Sequence, residues 1–230
     1  MNLTVPAETR CEIKFVANEL EFHRLNRWLR QHPSCFHKAY PDRLVNNIYF
    51  DSLNHCSYSD NISGASSRIK VRYRWYGSSI QPIEGALEIK CKRNQYSWKI
   101  IYCLDQFPDW QDKSWRELRA KMIEQLPAES RKWMDSHPVP VLINRYKRKY
   151  FISRSDNVRV TLDTDLSVYD QSRKPYPNYS FKTNLSKIFV LEVKFPRELR
   201  DEAAQIIRDI PIRVSRHSKY ITGFNSINGF

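Results

Sequence analysis

Between Arg68 and Trp75 the chain reads Arg-Ile-Lys-Val-Arg-Tyr-Arg-Trp, a cation at every second position with an apolar residue between. This alternation has the period of an extended strand, because successive strand side chains leave on opposite faces. Arg68, Lys70, Arg72 and Arg74 therefore share one face, and Ile69, Val71, Tyr73 and Trp75 the other. Same-face neighbours stand about 6.6 Å apart, two residues of rise. Four cations in that row repel one another unless an anion lies along them. A fold containing this strand must bury one face and bring negative charge to the other.

The whole chain repeats the imbalance, with 38 Lys+Arg against 25 Asp+Glu and a net charge of +13 over 230 residues. Such a charge selects polyanionic partners: nucleic acid, an anionic membrane surface or phosphate-rich small molecules. A 41% hydrophobic fraction with 13 Tyr, 11 Phe and 6 Trp excludes a disordered basic tail. The length suits one domain over residues 1–230. Cys11, Cys35, Cys56, Cys91 and Cys103 form no C-x-x-C pair and read as reduced thiols of a cytoplasmic protein, with no disulfide frame and no zinc site. No apolar run approaches the length of a transmembrane helix, and the first ten residues hold no signal core. A membrane-associated partner stays open, since basic patches also bind anionic lipid.

Strand patterns outnumber helix patterns. They cover Cys11–Val16, Val45–Phe50, Arg68–Tyr76, Ala86–Arg93, Tyr96–Cys103, Val139–Ile152, Val158–Leu162 and Lys187–Phe195, with Asn94-Gln95 as a hairpin turn. Helical spacing marks Glu19–Arg30, a segment behind the capping box Ser114-Trp115-Arg116-Glu117, and a segment opened by Pro196 with Leu199, Ala203, Ile206 and Ile207 on one side. Gln106–Asp112 and Arg173–Pro177 read as loops. This is an α+β chain, mostly antiparallel β. Charges on one strand face and apolar residues on the other leave two architectures. One is an open sheet with its charged face in solvent; the other is a closed barrel with a polar lumen and helices over its apolar outside.

Several strands carry a carboxylate near a cation on the same face: Glu12/Lys14, Glu88/Lys90, Arg159/Asp163 and Glu192/Lys194. Singly, each is an ordinary strand-face ion pair. Glu192 and Lys194 stand out because their strand, Ile188–Phe195, is otherwise apolar, and a metal or a phosphate there would offset the cost of burial. Only 5 glycines are present, and no P-loop or G-x-G-x-x-G fits. The histidines lack metal-ligand spacing, and no G-x-S-x-G elbow occurs. Phosphate binding here would rest on side-chain cations.

Taken in order, Glu12-x-Lys14-Phe15, Ile48-Tyr49-Phe50-Asp51-Ser52, Arg68-x-Lys70-Val71-Arg72-x-Arg74-Trp75-Tyr76-Gly77, Glu88-x-Lys90, Tyr146-x-Arg148, Arg159–Leu166, Glu192-x-Lys194-Phe195 and Ser218-Lys219-Tyr220 form a series. The series resembles the VTC-type polyphosphate polymerase domain, a branch of the triphosphate tunnel metalloenzymes, from about residue 10 to 224. The resemblance implies an eight-stranded antiparallel β-barrel with a cationic lumen and covering helices. It implies transfer of the terminal phosphate of ATP onto polyphosphate, assisted by Mn2+ or Mg2+. By motif, the phosphate-binding residues would be Lys14, Arg72, Arg74, Lys90, Lys99, Arg148, Arg159, Lys194, Arg216, Ser218 and Lys219. Arg72, Arg74, Arg148 and Lys194 would be catalytic and Glu192 would hold the metal. The related triphosphatase branch begins Glu-x-Glu-x-Lys, and here Arg10 stands in place of the first carboxylate, which tilts the expectation from hydrolysis toward transfer.

Two other readings remain at this level. An inorganic or nucleoside triphosphatase would use the same cations. A non-catalytic module binding polyphosphate or RNA would use the basic face with aromatic stacking, although Tyr73 and Trp75 point away from that face. No specific nucleic acid is expected as a partner; ATP or another triphosphate, and polyphosphate, are.

Overall fold

The computed structural model describes Pro6 and residues 10–94, 96–185 and 188–229. The expected hairpin residue Gln95 and the expected strand start Lys187 lie outside the described residues. The strands are β1 (Arg10–Ala17), β2 (His37–Asp51), β3 (Ser67–Tyr76), β4 (Gly85–Arg93), β5 (Tyr96–Leu104), β6 (Val139–Ile152), β7 (Arg159–Asp170), β8 (Lys182–Asn184) and β9 (Phe189–Pro196). The helices are α1 (Glu19–Gln31), α2 (Cys56–Ile62), α3 (Trp115–Gln125), α4 (Ala128–Ser136), α5 (Arg200–Arg208) and α6 (Lys219–Asn228).

All strands join one antiparallel sheet in the order β1-β9-β7-β6-β2-β3-β4-β5, with β8 on the second half of β7. The expected closed eight-stranded barrel is corrected on two points. The described sheet has nine strands, and no backbone ladder joins β1 to β5. Side chains bridge that gap instead: Lys90 Nζ on β4 lies 3.3 Å from Glu12 Oε1 on β1. The sheet is therefore curled, with the edge strand β1 brought to ion-pair distance of β4. β5 stays an edge, and Ile101 on its concave side is 46% exposed.

The alternation of β3 falls out as expected. Val71, Tyr73 and Trp75 are buried on the convex face with Leu87, Ile89 and Cys91 of β4, beneath Trp115, Leu118 and Met122 of α3 and Trp133 and Met134 of α4. Burying a large apolar side chain contributes roughly 1.5–3 kcal/mol, so this layer can hold the cationic face in place. At the other end of the sheet, Phe15, Val160, Leu162, Leu191 and Val193 pack under Leu25 and Leu29 of α1 and Ala203 and Ile206 of α5. The capping box forms as the sequence implies, with Ser114 and Glu117 bonding each other's backbone N–H. Pro196 instead ends β9, and a 3-10 turn (Arg197–Leu199) precedes α5.

Three helices escape the sequence reading: α2, α4 and α6. The last matters most, because α6 packs on the concave face. A bulge explains how an apolar seat comes to be there. β7 gains a residue against β6 between Arg145 and Lys147, and Asp165 adopts a positive φ of 55°. Thr161 and Asp163 before the bulge, and Leu166 and Val168 after it, consequently all face inward. Tyr49, Leu142 and Val168 then receive Tyr220, Ile221 and Phe224 of α6. Gly223 permits the approach: a Cβ there would stand 2.9 Å from Val168 Cγ1 and 3.0 Å from a Leu142 methyl. Asp51 locks the arrangement, accepting from Tyr220 Oη at 2.5 Å and from the backbone N–H groups of Ser57 and Tyr58 at the start of α2.

Candidate functional site

Beside α6 the concave face is polar, and its ions form linked groups. Around Glu12 stand Lys14 (3.1 Å), Lys90 (3.3 Å) and Lys194 (3.6 Å), from β1, β4 and β9. Around Glu88 stand Arg72, which donates through two nitrogens (2.6 and 2.9 Å), Lys99 (3.1 Å) and Arg74 (3.6 Å). Asp163 takes a bidentate pair from Arg148 at 2.6 Å and an ion pair from Lys219 at 2.5 Å. Glu192 joins the groups, with Lys194 at 3.0 Å, Arg148 at 3.4 Å, Lys219 at 3.5 Å and Lys14 at 3.6 Å. Arg74 donates to Asn47 Oδ1 (2.9 Å) and to Tyr146 Oη (3.3 Å), and Asn47 Nδ2 in turn donates to Asn144 Oδ1 (2.7 Å). Arg72 reaches Tyr49 Oη at 3.2 Å.

Burial alone would raise these carboxyls, but the surrounding cations prevail. Lys90 and Lys14 hold Glu12 far below the usual carboxylate range, and Arg72, Arg74 and Lys99 do the same for Glu88. Asp163 and Glu192 are also lowered against burial, the first by Arg148 and Lys219, the second chiefly by Lys194, Lys219 and Lys14. Where burial and neighbouring cations prevail, basic groups go the other way. Burial, with Lys90, Lys14, Arg68 and Arg72 nearby, pushes Lys70 down to about 7, and burial with Lys14 pushes Lys90 down to about 8. Burial beside Lys219 and Lys14 takes His217 down to about 4.

The structure thus brings together Lys14, Arg72, Arg74, Lys90, Lys99, Arg148, Glu192, Lys194 and Lys219. Lys99 lies directly across the β4–β5 ladder from Lys90. Arg159 is exposed at the start of β7, opposite Lys194 at the rim, and Arg216 is exposed ahead of α6. Ser218 is the N-cap of α6, accepting from Ile221 N (3.4 Å) and from Lys70 Nζ (2.8 Å). Two of the sequence pairings re-sort: Glu88 is taken by Arg72, Arg74 and Lys99, while Lys90 crosses to Glu12; Asp163 is taken by Arg148 and Lys219 and leaves Arg159 free of it. Asp163, Lys70, Tyr49 and Tyr146 also line the site without having been assigned a phosphate, metal or catalytic role from sequence, although each carries a sequence signal: Lys70 in the cationic row, Asp163 in its pairing with Arg159, and Tyr49 and Tyr146 in the motif series.

A profile described as VTC domain matches residues 9–228. The chain belongs to the VTC domain family. No curated protein matches this VTC chain. Among solved structures, it is similar to a crystal structure from Vibrio parahaemolyticus named as a putative adenylate cyclase. The two share 9% identity at a TM-score of 0.50, over 94% of this chain and 98% of that one. The likeness is one of fold. Among the described residues of the VTC domain no group of three His, Cys, Asp or Glu side chains makes a ready metal cage, and no helix is long and apolar enough to cross a membrane.

The resemblance implies a divalent metal, and the chemistry of one donor set fits such an ion. Glu12 and Glu192 share Lys14 and Lys194, and the Thr161 hydroxyl opposite Glu192 is buried with no hydrogen-bond partner. Hard oxygen donors of this number suit Mg2+ or Mn2+ arriving with phosphate oxygens as its remaining ligands. They do not make a self-sufficient cage.

Proposed function

We propose that this VTC domain is a polyphosphate polymerase that transfers the terminal phosphate of ATP onto a growing polyphosphate chain on the concave face of the curled sheet. One observation carries the reading. Each inward carboxylate (Glu12, Glu88, Asp163 and Glu192) is paired with at least two cations. Carboxylates held that far below their ordinary range are poor general bases. A hydrolase needs a base to orient water, whereas an already ionised phosphate attacks without one.

The residues divide the work by geometry. Arg72, Arg74 and Arg148 present planar forks suited to bidentate contact with phosphate oxygens, while Lys14, Lys90, Lys194 and Lys219 act as point charges. Lys99, at the open β5 edge, and Arg159, at the rim, extend the cationic track. Fixed cations stabilise the charge spread over a loose phosphoryl-transfer transition state without reorganising. Glu192, with Glu12 beside it, would hold the metal, which when bound supplies Lewis-acid neutralisation of phosphate oxygens. The reading sets the reaction in the cytoplasm, where ATP is abundant.

Pure protein incubated with ATP and Mn2+ should form a long phosphate polymer on a sizing gel. Orthophosphate as the sole product would replace this reading with the triphosphatase one.

A further inference from the structure

Across β2, β3 and β6 the two rims of the concave face differ. On β3 the row Arg68, Lys70, Arg72, Arg74 continues with Tyr76, and on β6 Arg148 is followed on the same face by Tyr150. Arg43 of β2 stands directly opposite Arg148. Its guanidinium carbon lies 5.3 Å from the ring centre of Tyr40, 5.6 Å from that of Tyr76 and 5.8 Å from that of Tyr150. Tyr40 and Tyr76 are about half exposed, at 52% and 49%. A cavity of about 600 Å3, within the size range of small-molecule sites, opens at the same rim, lined by Arg43 and Tyr76 and, from the outward face of the sheet, by Leu44 and Lys147. At the opposite rim Arg68 faces Lys92, and Lys70 faces Lys90, in cation-only pairs. On these strands the two rims therefore offer different chemistry, one aromatic and the other dominated by facing cations.

We infer that Tyr40, Arg43 and Tyr76 form the nucleobase subsite of this protein, taking the base of a nucleoside triphosphate whose phosphates lie on Arg74 and Arg148. Aromatic faces and a guanidinium plane stack on any base, and both elements are held here at the rim. Tyr76 follows Arg74, and Tyr150 follows Arg148, by two residues, about 6.6 Å of strand rise. That interval is the span a ribose needs between phosphate and base. The row then has a direction: base at the tyrosine rim, phosphates at the centre, and the lengthening anion toward Arg68 and Lys92. The inference rests on the proposed phosphate-binding role of the centre but not on polymer being the product.

Calorimetric titration of ATP and of inorganic tripolyphosphate, both without metal, tests it directly. Tyr76→Ala should weaken ATP roughly tenfold while leaving tripolyphosphate within roughly twofold, and Tyr76→Phe should retain ATP binding, because stacking needs the ring and not the hydroxyl. Tyr40→Ala, at a half-exposed side chain on another strand, repeats the test independently of β3. Equal losses for both ligands in both alanine variants, or no loss of ATP, overturns the subsite. So does a wild-type protein that binds neither ligand. A protein that selectively loses ATP on these substitutions yet makes no polymer keeps the subsite and loses only the polymerase reading.

Discussion

Lys70 and Lys90 stand directly opposite each other on β3 and β4, two ammonium groups on the same concave face. Lys90 is partly neutralised by Glu12, whereas Lys70 has a hydroxyl, Ser218 Oγ, as its hydrogen-bond partner. Lys70 also faces Lys14 from β1, Arg68 and Arg72 along β3, and the Tyr220 ring of α6 at 6.0 Å. Burial and these cations bring it to about 7, against about 10.4 for an unfolded lysine. Below pH 7 the proton is bound in both states and the penalty on the folded state is complete. Between 7 and 10 the unfolded chain holds a proton that the folded chain has released, so this contribution to stability rises with pH. Ligand-free protein should melt higher at pH 9 than at pH 6.5, and Lys70→Met should reduce that difference. An unchanged slope in the variant would remove Lys70 from the account.

The same crowding predicts strong stabilisation by polyanions. Tripolyphosphate at ~100 times its dissociation constant should add roughly 2.7 kcal/mol at equilibrium, visible as a shift in urea midpoint. At one fixed ligand concentration the shift should shrink in Lys70→Met, because fewer repelling charges are left to relieve. A ligand response identical in wild type and variant would place the anion elsewhere.

The β3 row, the helix α3 over its apolar face and most of the central cations were legible because strand period, helix capping and charge are local properties, whereas α4 over the same face was not. Closure was not: whether a curled sheet zips β1 to β5 depends on long-range register, and here Lys90 and Glu12 make a side-chain bridge where a ladder was expected. The partners of each charge were equally hidden. Residues two apart in sequence, Glu88 and Lys90, separate in space because Arg72 on the neighbouring strand is closer to Glu88. Nor could periodicity reveal α6 as an occupant of the concave face. Its seat depends on the bulge at Asp165, which reverses the alternation midway along β7. Tyr49 and Asp51, conspicuous in sequence as part of a motif, turn out to hold that helix through Tyr220.

Arg72→Ala separates the charge row from simple repulsion. Arg72 belongs to the Glu88 group, and its loss leaves that buried carboxylate with Arg74 and Lys99 alone. Truncating one partner of a buried pair costs about 3 kcal/mol or more. Ligand-free Arg72→Ala should therefore be less stable than wild type, in contrast to Lys70→Met, and should bind tripolyphosphate more weakly. Chemical denaturation of both variants checks the opposite signs. A stabilised Arg72→Ala would mean that repulsion outweighs the Glu88 pair.

Gly223→Ala probes the seat of α6. The added methyl would meet Val168 and Leu142 at about the distances that force a shift, so the helix must move outward. Overpacking of this kind costs typically about 1–3 kcal/mol. Lys219 sits at the first turn of the same helix and reaches Asp163 and Glu192, so displacement should also weaken tripolyphosphate binding. A destabilised variant with unchanged affinity would uncouple the helix from the site.

Glu192→Gln distinguishes a metal-holding carboxylate from a structural one. The substitution keeps the shape and a carbonyl acceptor but removes the negative charge that Lys14, Lys194, Lys219 and Arg148 surround. Those cations are then more available to phosphate, so metal-free tripolyphosphate should bind at least as tightly as to wild type. Polymer formation with ATP and Mn2+ should fall by a factor on the order of 10²–10³, the scale for losing one preorganised group that acts on developing charge. Added Mn2+ should sharpen ligand binding in wild type and not in the variant. A variant that loses tripolyphosphate binding and activity together would make Glu192 a structural counter-ion, and the metal would then need another holder on the concave face.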